Sequence, residues 1–158
     1  MAKVLLGFMG SGKTTIARKL DPDFVDMDAV IEKRIGMSIA DFFKVKGEEA
    51  FRQVESEILA DLLKTDQVVS TGGGVVISSR NRDLLKQNPD NIYLKSDFET
   101  LYQRIAADKD NQRPLFLNNS KEELRGIFQE RQVWYEEVAS RILDVTKLSP
   151  EKIIEELR

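Results

Sequence analysis

The chain has 158 residues, 41% apolar and 32% charged, with a formal net charge of -3 and neither cysteine nor histidine. That length supports one domain with a packed core, and the charge balance offers no electrostatic footprint for nucleic acid or an anionic membrane. The two missing residue types exclude disulfides, thiolate metal sites, cysteine nucleophiles and histidine general bases, so any chemistry runs on Asp, Glu, Lys, Arg, backbone amides and a hard cation. No stretch approaches ~20 apolar residues, so no membrane span is expected. Nothing at the N-terminus has a signal-peptide layout, and a cytoplasmic protein is expected.

Lys3 to Leu6 reads as a short buried strand, followed by a glycine loop and a helix from about Lys13 to Leu20 that Asp21-Pro22 stops. Phe24 to Asp26 is a second strand candidate. "DAVIEKRIG" has helical spacing ending at Gly36, and Ser38 with Asp41 three positions on fits a capping arrangement. A longer helix is predicted over about Glu48 to Lys64, with Phe51, Val54, Ile58, Leu59 and Leu62 as its apolar stripe. "VVST" is a strand entering the turn "GGGVV", "NIYL" another strand, and Phe98 to Ala106 another helix. Residues 108 to 119 are polar and aperiodic apart from a small apolar knot and read as a mobile loop. Lys121 to Ser140 returns to helix, "RILDV" is a last strand, and Ser149-Pro150 caps a final helix. Five strands alternating with helices predict a single α/β domain built on a parallel sheet.

Gly7, Gly12, Lys13 and Thr14 fit G-x-x-x-x-G-K-[ST], a pattern that a chain of this length meets by accident roughly once in two hundred times. The match lies between a predicted strand and a predicted helix, as the motif requires. There, glycines let backbone N–H groups turn towards phosphates at a helix N-terminus, which already favours anions. Gly10, Ser11, Gly12, Lys13, Thr14 and Thr15 are the candidate nucleotide contacts. Lys13 reaches towards the β- and γ-phosphates, and Thr14 towards Mg²⁺. The sequence has neither the N-K-x-D nor the D-x-x-G of a GTPase, which leaves a small-molecule kinase as the default.

Three further groups bear on the acceptor. In "DMD", Asp26 and Asp28 end the second strand on the same side, at the edge where open α/β sheets bind ligands. One can hold hydrated Mg²⁺ and the other orient or deprotonate a hydroxyl; the alternative is that Asp28 merely caps the next helix. Gly72, Gly73 and Gly74 follow a strand, so six of the nine glycines sit in two loops at strand exits, either for close approach to a ligand or for a bend. Arg52, Arg113 and Arg131 lie among apolar or loop residues, and Glu55 is placed to hold Arg52. A pair of such arginines can clamp an acidic substrate, the alternative for each taken singly being an ordinary surface position.

Together, "GFMGSGKTT", "DMD", "IGMSIADFF", "GEEAFRQVE", "VVSTGGGVV", "RPL" and "ERQVWYEEVA" resemble the shikimate kinase family in order and spacing, over nearly the whole chain. The resemblance implies a three-layer nucleoside-monophosphate-kinase-like fold with a five-stranded parallel sheet flanked by helices. Residues of about 30–63 would form the substrate-binding helical region and about 108–120 a mobile lid. It implies transfer of the ATP γ-phosphate to the 3-hydroxyl of shikimate, on the route to aromatic amino acids. Carried over by motif, Lys13, Asp28 and Arg113 are catalytic, and Arg113 meets the phosphates from the lid. Thr14 and Asp26 hold Mg²⁺, the latter through water, while Asp28, Arg52, Gly73, Gly74 and Arg131 bind shikimate. ATP and shikimate are the expected partners of a monomer.

The chain departs from the family in a shorter first helix, "ARKLDPDF" running almost straight across to the second strand. The basic residue expected against adenine is also not fixed, with Arg104, Lys109 and Lys147 as candidates. The rival readings are a related P-loop kinase of gluconate type or of nucleoside monophosphates, and a catalytically silent nucleotide-binding regulator.

Overall fold

A computed structural model describes residues 1–108 and 114–158. Among them, five strands form one sheet in the order β2-β3-β1-β4-β5, with every pairing parallel. The strands are β1 (Lys3–Leu6), β2 (Val25–Asp26), β3 (Val68–Ser70), β4 (Asn91–Lys95) and β5 (Arg141–Asp144). The helices are α1 (Lys13–Leu20), α2 (Met27–Ile35), α3 (Ile39–Leu63), α4 (Ser79–Lys86), α5 (Phe98–Ala107), α6 (Pro114–Leu117), α7 (Lys121–Val138) and α8 (Pro150–Leu157). No helix among the described residues is long and apolar enough to cross a membrane.

The central strand explains the layering. Along β1, alternate side chains leave opposite faces: Val4 and Leu6 join one buried cluster with α2, α3, α4, α5 and α7, while Leu5 joins another with Ile16 and Ala17 of α1 and Ile153, Ile154 and Leu157 of α8. Sheet and two helical layers are therefore sealed by two separate cores. β1 and its neighbour β3 are followed by helices on opposite faces, α1 and α4 respectively. A crevice opens beyond the carboxyl ends of two strands arranged in this way, and both glycine loops lie there.

Most predicted elements are present, with informative differences. The Ser38 cap and the helix expected from about Glu48 are both found, joined in one element that begins at Ile39, where the Ser38 hydroxyl accepts from Asp41 N at 3.1 Å. It is broken at Gly47, whose φ of 85° and ψ of 170° are open to glycine. The region predicted as loop contains the short helix Pro114–Leu117. Helix α4 has no counterpart among the predicted elements, because "SRNRDLLK" carries apolar residues only at Leu84 and Leu85 and shows no helical stripe. It starts from a Ser78 cap and buries Leu85 completely. The shortened first helix closes in a tight turn, with Asp21 accepting from Asp23 N through Oδ1 at 2.9 Å and from Phe24 N through its carbonyl at 3.0 Å.

Candidate active site

The first wall of the crevice is a single run of backbone. Gly10 and Gly12 sit at φ 83° and 87°, in the left-handed region that turns successive N–H groups inward. A Cβ on Gly7 would lie 2.6 Å from Ser11 Oγ and 3.0 Å from Leu94 O, so the loop can fold this tightly only with glycine there. Six helices, α2, α3, α4, α5, α7 and α8, begin with a side-chain cap, whereas α1 begins at Gly12 with none. Its first-turn amides are thus held by no capping side chain, at the positive end of the helix dipole. The Lys13 ammonium is buried and donates to the carbonyls of Gly7 and Phe8, while Thr14 and Thr15 stand exposed on the first turn.

The second wall is assembled from four segments. Asp26 caps α2, accepting from Asp28 N at 3.1 Å. That cap belongs to Asp26, so the alternative that Asp28 only caps the helix does not hold. The Asp28 carboxylate instead lies against Gly72: a Cβ there would be 2.8 Å from Asp28 Oδ1. A Cβ on Gly73 would come 3.7 Å from Arg131 Nη1, and one on Gly74 3.1 Å from Arg52 Nη2. Each glycine of the turn therefore meets one of the three charged side chains singled out in the sequence. Close approach accounts for Gly72 and Gly74, while a Cβ on Gly73 would meet its neighbours at ordinary contact distance.

Buried partners hold both arginines. Arg52 Nη1 donates to Glu55 Oε1 at 2.9 Å, to Glu55 Oε2 at 3.1 Å and to Gly74 O at 3.0 Å. Its guanidinium lies over the Phe51 and Phe43 rings, 5.1 and 5.8 Å from their centroids. Arg131 stacks 5.8 Å above Phe8, one turn before Tyr135, and Tyr135, wholly buried, donates to Gly73 O. Tyr135 escaped the sequence reading, although its place one turn after Arg131 is the available signal. Burial pushes the Asp28 carboxyl above the ordinary carboxylate value, Asp26 adds to the rise, and Lys13 and Arg52 oppose it. A carboxyl raised in this way is a better proton acceptor once ionised.

Gly10 to Thr15, Asp26, Asp28 and Gly72 to Gly73 line one cleft of about 830 Å³, which also takes in Glu32, Arg104 and Asp108, whereas Gly74, Arg52 and Arg131 are not among its lining residues. Of the adenine candidates, Arg104 thus shares the phosphate cleft, whereas Lys147 lines a separate one of about 690 Å³ beside Phe128 and Thr146. Lys109 and Arg113 lie outside the described residues. Among the described residues, no group of three or more His, Cys, Asp or Glu is arranged to hold a metal ion.

A phosphate-cradling loop on a parallel sheet, facing a carboxylate and two braced arginines, defines a P-loop kinase of a small anionic acceptor. A family model described as shikimate kinase matches residues 9–158. Shikimate kinase of Streptococcus gordonii is 54% identical over 159 residues, covering 100% of this chain and 99% of the relative, and that of Enterococcus faecalis is 46% identical over 158 residues, covering 98% and 94%. The solved shikimate kinase from Acinetobacter baumannii in complex with shikimate superposes with a TM-score of 0.88 at 32% identity, covering 99% of this chain and 89% of that one. The chain belongs to the shikimate kinase family, and with it to the ATP-dependent phosphotransferases that act on an alcohol group.

Proposed function

We propose that the cleft transfers the γ-phosphate of ATP to the 3-hydroxyl of shikimate, giving shikimate 3-phosphate and ADP, with the residue roles that follow. The observation that carries these roles is the meeting of Asp28, Arg131 and Arg52 on three consecutive glycines opposite the phosphate loop. Arg52 and Arg131, with the Gly73 and Gly74 backbone, hold the shikimate carboxylate. Both guanidiniums are braced before the ligand arrives, which lowers the ordering cost of binding. Asp28 accepts the hydrogen bond of the acceptor hydroxyl and takes its proton as the oxygen attacks the γ-phosphorus, while the bond to the ADP oxygen breaks.

Residues 10–15 hold the phosphates through amides, and Lys13 follows the charge developing on the transferred group. Mg²⁺ fits the donors present: the exposed Thr14 hydroxyl and the Asp26 carboxylate are hard oxygen ligands on the same cleft. The absence of a three-carboxylate cage among the described residues suits a cation that arrives on nucleotide phosphates, with Asp26 reached through water. When bound, it neutralises charge on the β- and γ-oxygens. Arg113 is assigned to the phosphates by its "RPL" motif, in a lid of about 108–120 that closes on a substrate-binding region of about 30–63 and excludes water. We place this biosynthetic step in the cytoplasm, carried out by a monomer.

Product analysis tests the reading. Incubation with MgATP and shikimate should give one phosphorylated product whose phosphorus couples to the proton on carbon 3, while gluconate and nucleoside monophosphates give none. Phosphate on another oxygen, or an equal yield from gluconate, would replace the acceptor assigned here.

A further inference from the structure

The brace behind Arg52 extends one layer deeper than the side chains that face the cleft. Asn81, on the first turn of α4, is completely buried, and its backbone N–H is taken by the cap residue Ser78. Its side-chain amide donates in two directions: to Glu55 Oε1 at 2.9 Å and to Val75 O at 2.9 Å. Its Oδ1 accepts from Ser56 Oγ at 2.5 Å, and the Val75 carbonyl, which can only accept, sets which end of the amide is nitrogen. Glu55 Oε1 is the same oxygen that Arg52 Nη1 engages at 2.9 Å, and Arg52 also donates to Gly74 O, one residue before Val75.

The geometry points to Asn81 as a positioning residue for shikimate, one that sets the direction of the Arg52 guanidinium relative to the glycine turn without touching the ligand. This rests on the assignment of Arg52 to the shikimate carboxylate. Arg52 and the turn are the two things the carboxyl end of the ligand must find together, and they come from elements 22 residues apart along the chain. Glu55 alone fixes Arg52 to α3 but carries no information about the turn. The Asn81 amide adds a second tie beside the direct Arg52 Nη1–Gly74 O bond, because one planar group holds both the carboxylate behind Arg52 and the carbonyl next to Gly74. A buried amide with both N–H groups and its oxygen engaged has one satisfied orientation. Side chains such as Ser or Ala keep at most part of this pattern and leave the direct Arg52–Gly74 O bond without that second tie.

Calorimetric titration of the full chain with shikimate and, separately, with ATP separates this role from a merely structural one. Asn81→Ser is expected to weaken shikimate binding about tenfold while ATP affinity stays within about twofold. In an Arg52→Ala background the same substitution should change shikimate affinity less than about twofold, since the group through which Asn81 acts is gone. An equal loss in both backgrounds, or an equal loss for both ligands, would overturn the inference. Ser56→Ala leaves the amide in place but free to turn, so it serves if Asn81→Ser does not fold. A loss of about threefold for shikimate alone is expected, and an unchanged shikimate affinity there would equally overturn it. Arg52→Ala by itself should cost about 30-fold or more. No loss in that variant would bring down the carboxylate assignment and the inference with it, whereas a loss there with none at Asn81 would overturn only the role of Asn81.

Discussion

The two walls of the cleft are built in opposite ways. The phosphate wall is one uninterrupted segment, residues 7–15, which we assign to the phosphates through backbone amides at the uncapped start of α1 and one lysine. The acceptor side draws Asp28 from α2 and the glycine turn from the exit of β3 into the cleft, with Arg52 of α3 and Arg131 of α7 meeting that turn at Gly74 and Gly73. Phosphate presents a spherical, highly charged surface that amides at a helix start bind whatever the rest of the molecule does. A small ring carrying a carboxylate and hydroxyls has to be read at fixed points, and side chains from separate elements provide those only if something locks them to one another. Hence the buried brace, Glu55, Asn81, Ser56 and Tyr135, lies entirely on the acceptor side.

This contrast can be broken at three places, in decreasing order of effect. Lys13→Ala strikes the phosphate wall where charge develops during transfer, and steady-state kinetics should show kcat reduced on the order of 10³-fold with the shikimate KM little changed. A rise in shikimate KM of similar size would mean that the two walls are not separable. Gly72→Ala strikes the other wall, because its Cβ would fall 2.8 Å from Asp28 Oδ1 and force the carboxylate to move. A displacement near 1 Å at a reacting group costs about 10²-fold, so kcat/KM for shikimate should fall by roughly that factor while ATP affinity holds. Wild-type kinetics in this variant would mean that Asp28 has room to yield and that its contact with the turn is incidental.

The smallest effect concerns stability. Burial and Asp26 raise the Asp28 pKa in the folded protein above its ordinary 3.8, so the folded state binds that proton more tightly than the unfolded chain does. The ionised carboxylate therefore lowers stability at neutral pH, and stability is recovered as pH falls through the raised value. Asp28→Asn should melt a few degrees higher than wild type at neutral pH, with the gap closing as pH drops towards 3.8. Thermal unfolding followed between pH 7 and 4 checks it, and a gap that widens on acidification would reverse the sign of the argument.

The same division explains what could be read in one dimension. The phosphate loop was legible because its residues are contiguous and their spacing is itself the geometry, and the strands were legible because each is a short apolar run in a parallel sheet. On the acceptor side, Asp28 and Arg52 stood out through local neighbours, Asp26 two residues away and Glu55 three. The long-range part was silent. Nothing in "SRNRDLLK" marks Asn81 as buried, since α4 turns only Asn81 and Leu85 inward and so displays no stripe. The Ser38-capped start and the helix from about Glu48 read as separate in the sequence, and the left-handed conformation that joins them at Gly47 emerges only from the path the chain takes. Tyr135 drew no notice in the sequence, because its hydroxyl finds Gly73 across 62 residues.

The most direct test of acceptor recognition by this wall is ADP release from MgATP, measured with and without shikimate for the purified chain and for Asp28→Asn. Strong shikimate-dependent release by the wild-type chain, reduced about 10²- to 10⁴-fold in Asp28→Asn, is the expected result. ADP release that ignores shikimate, or that survives intact in Asp28→Asn, would contradict it.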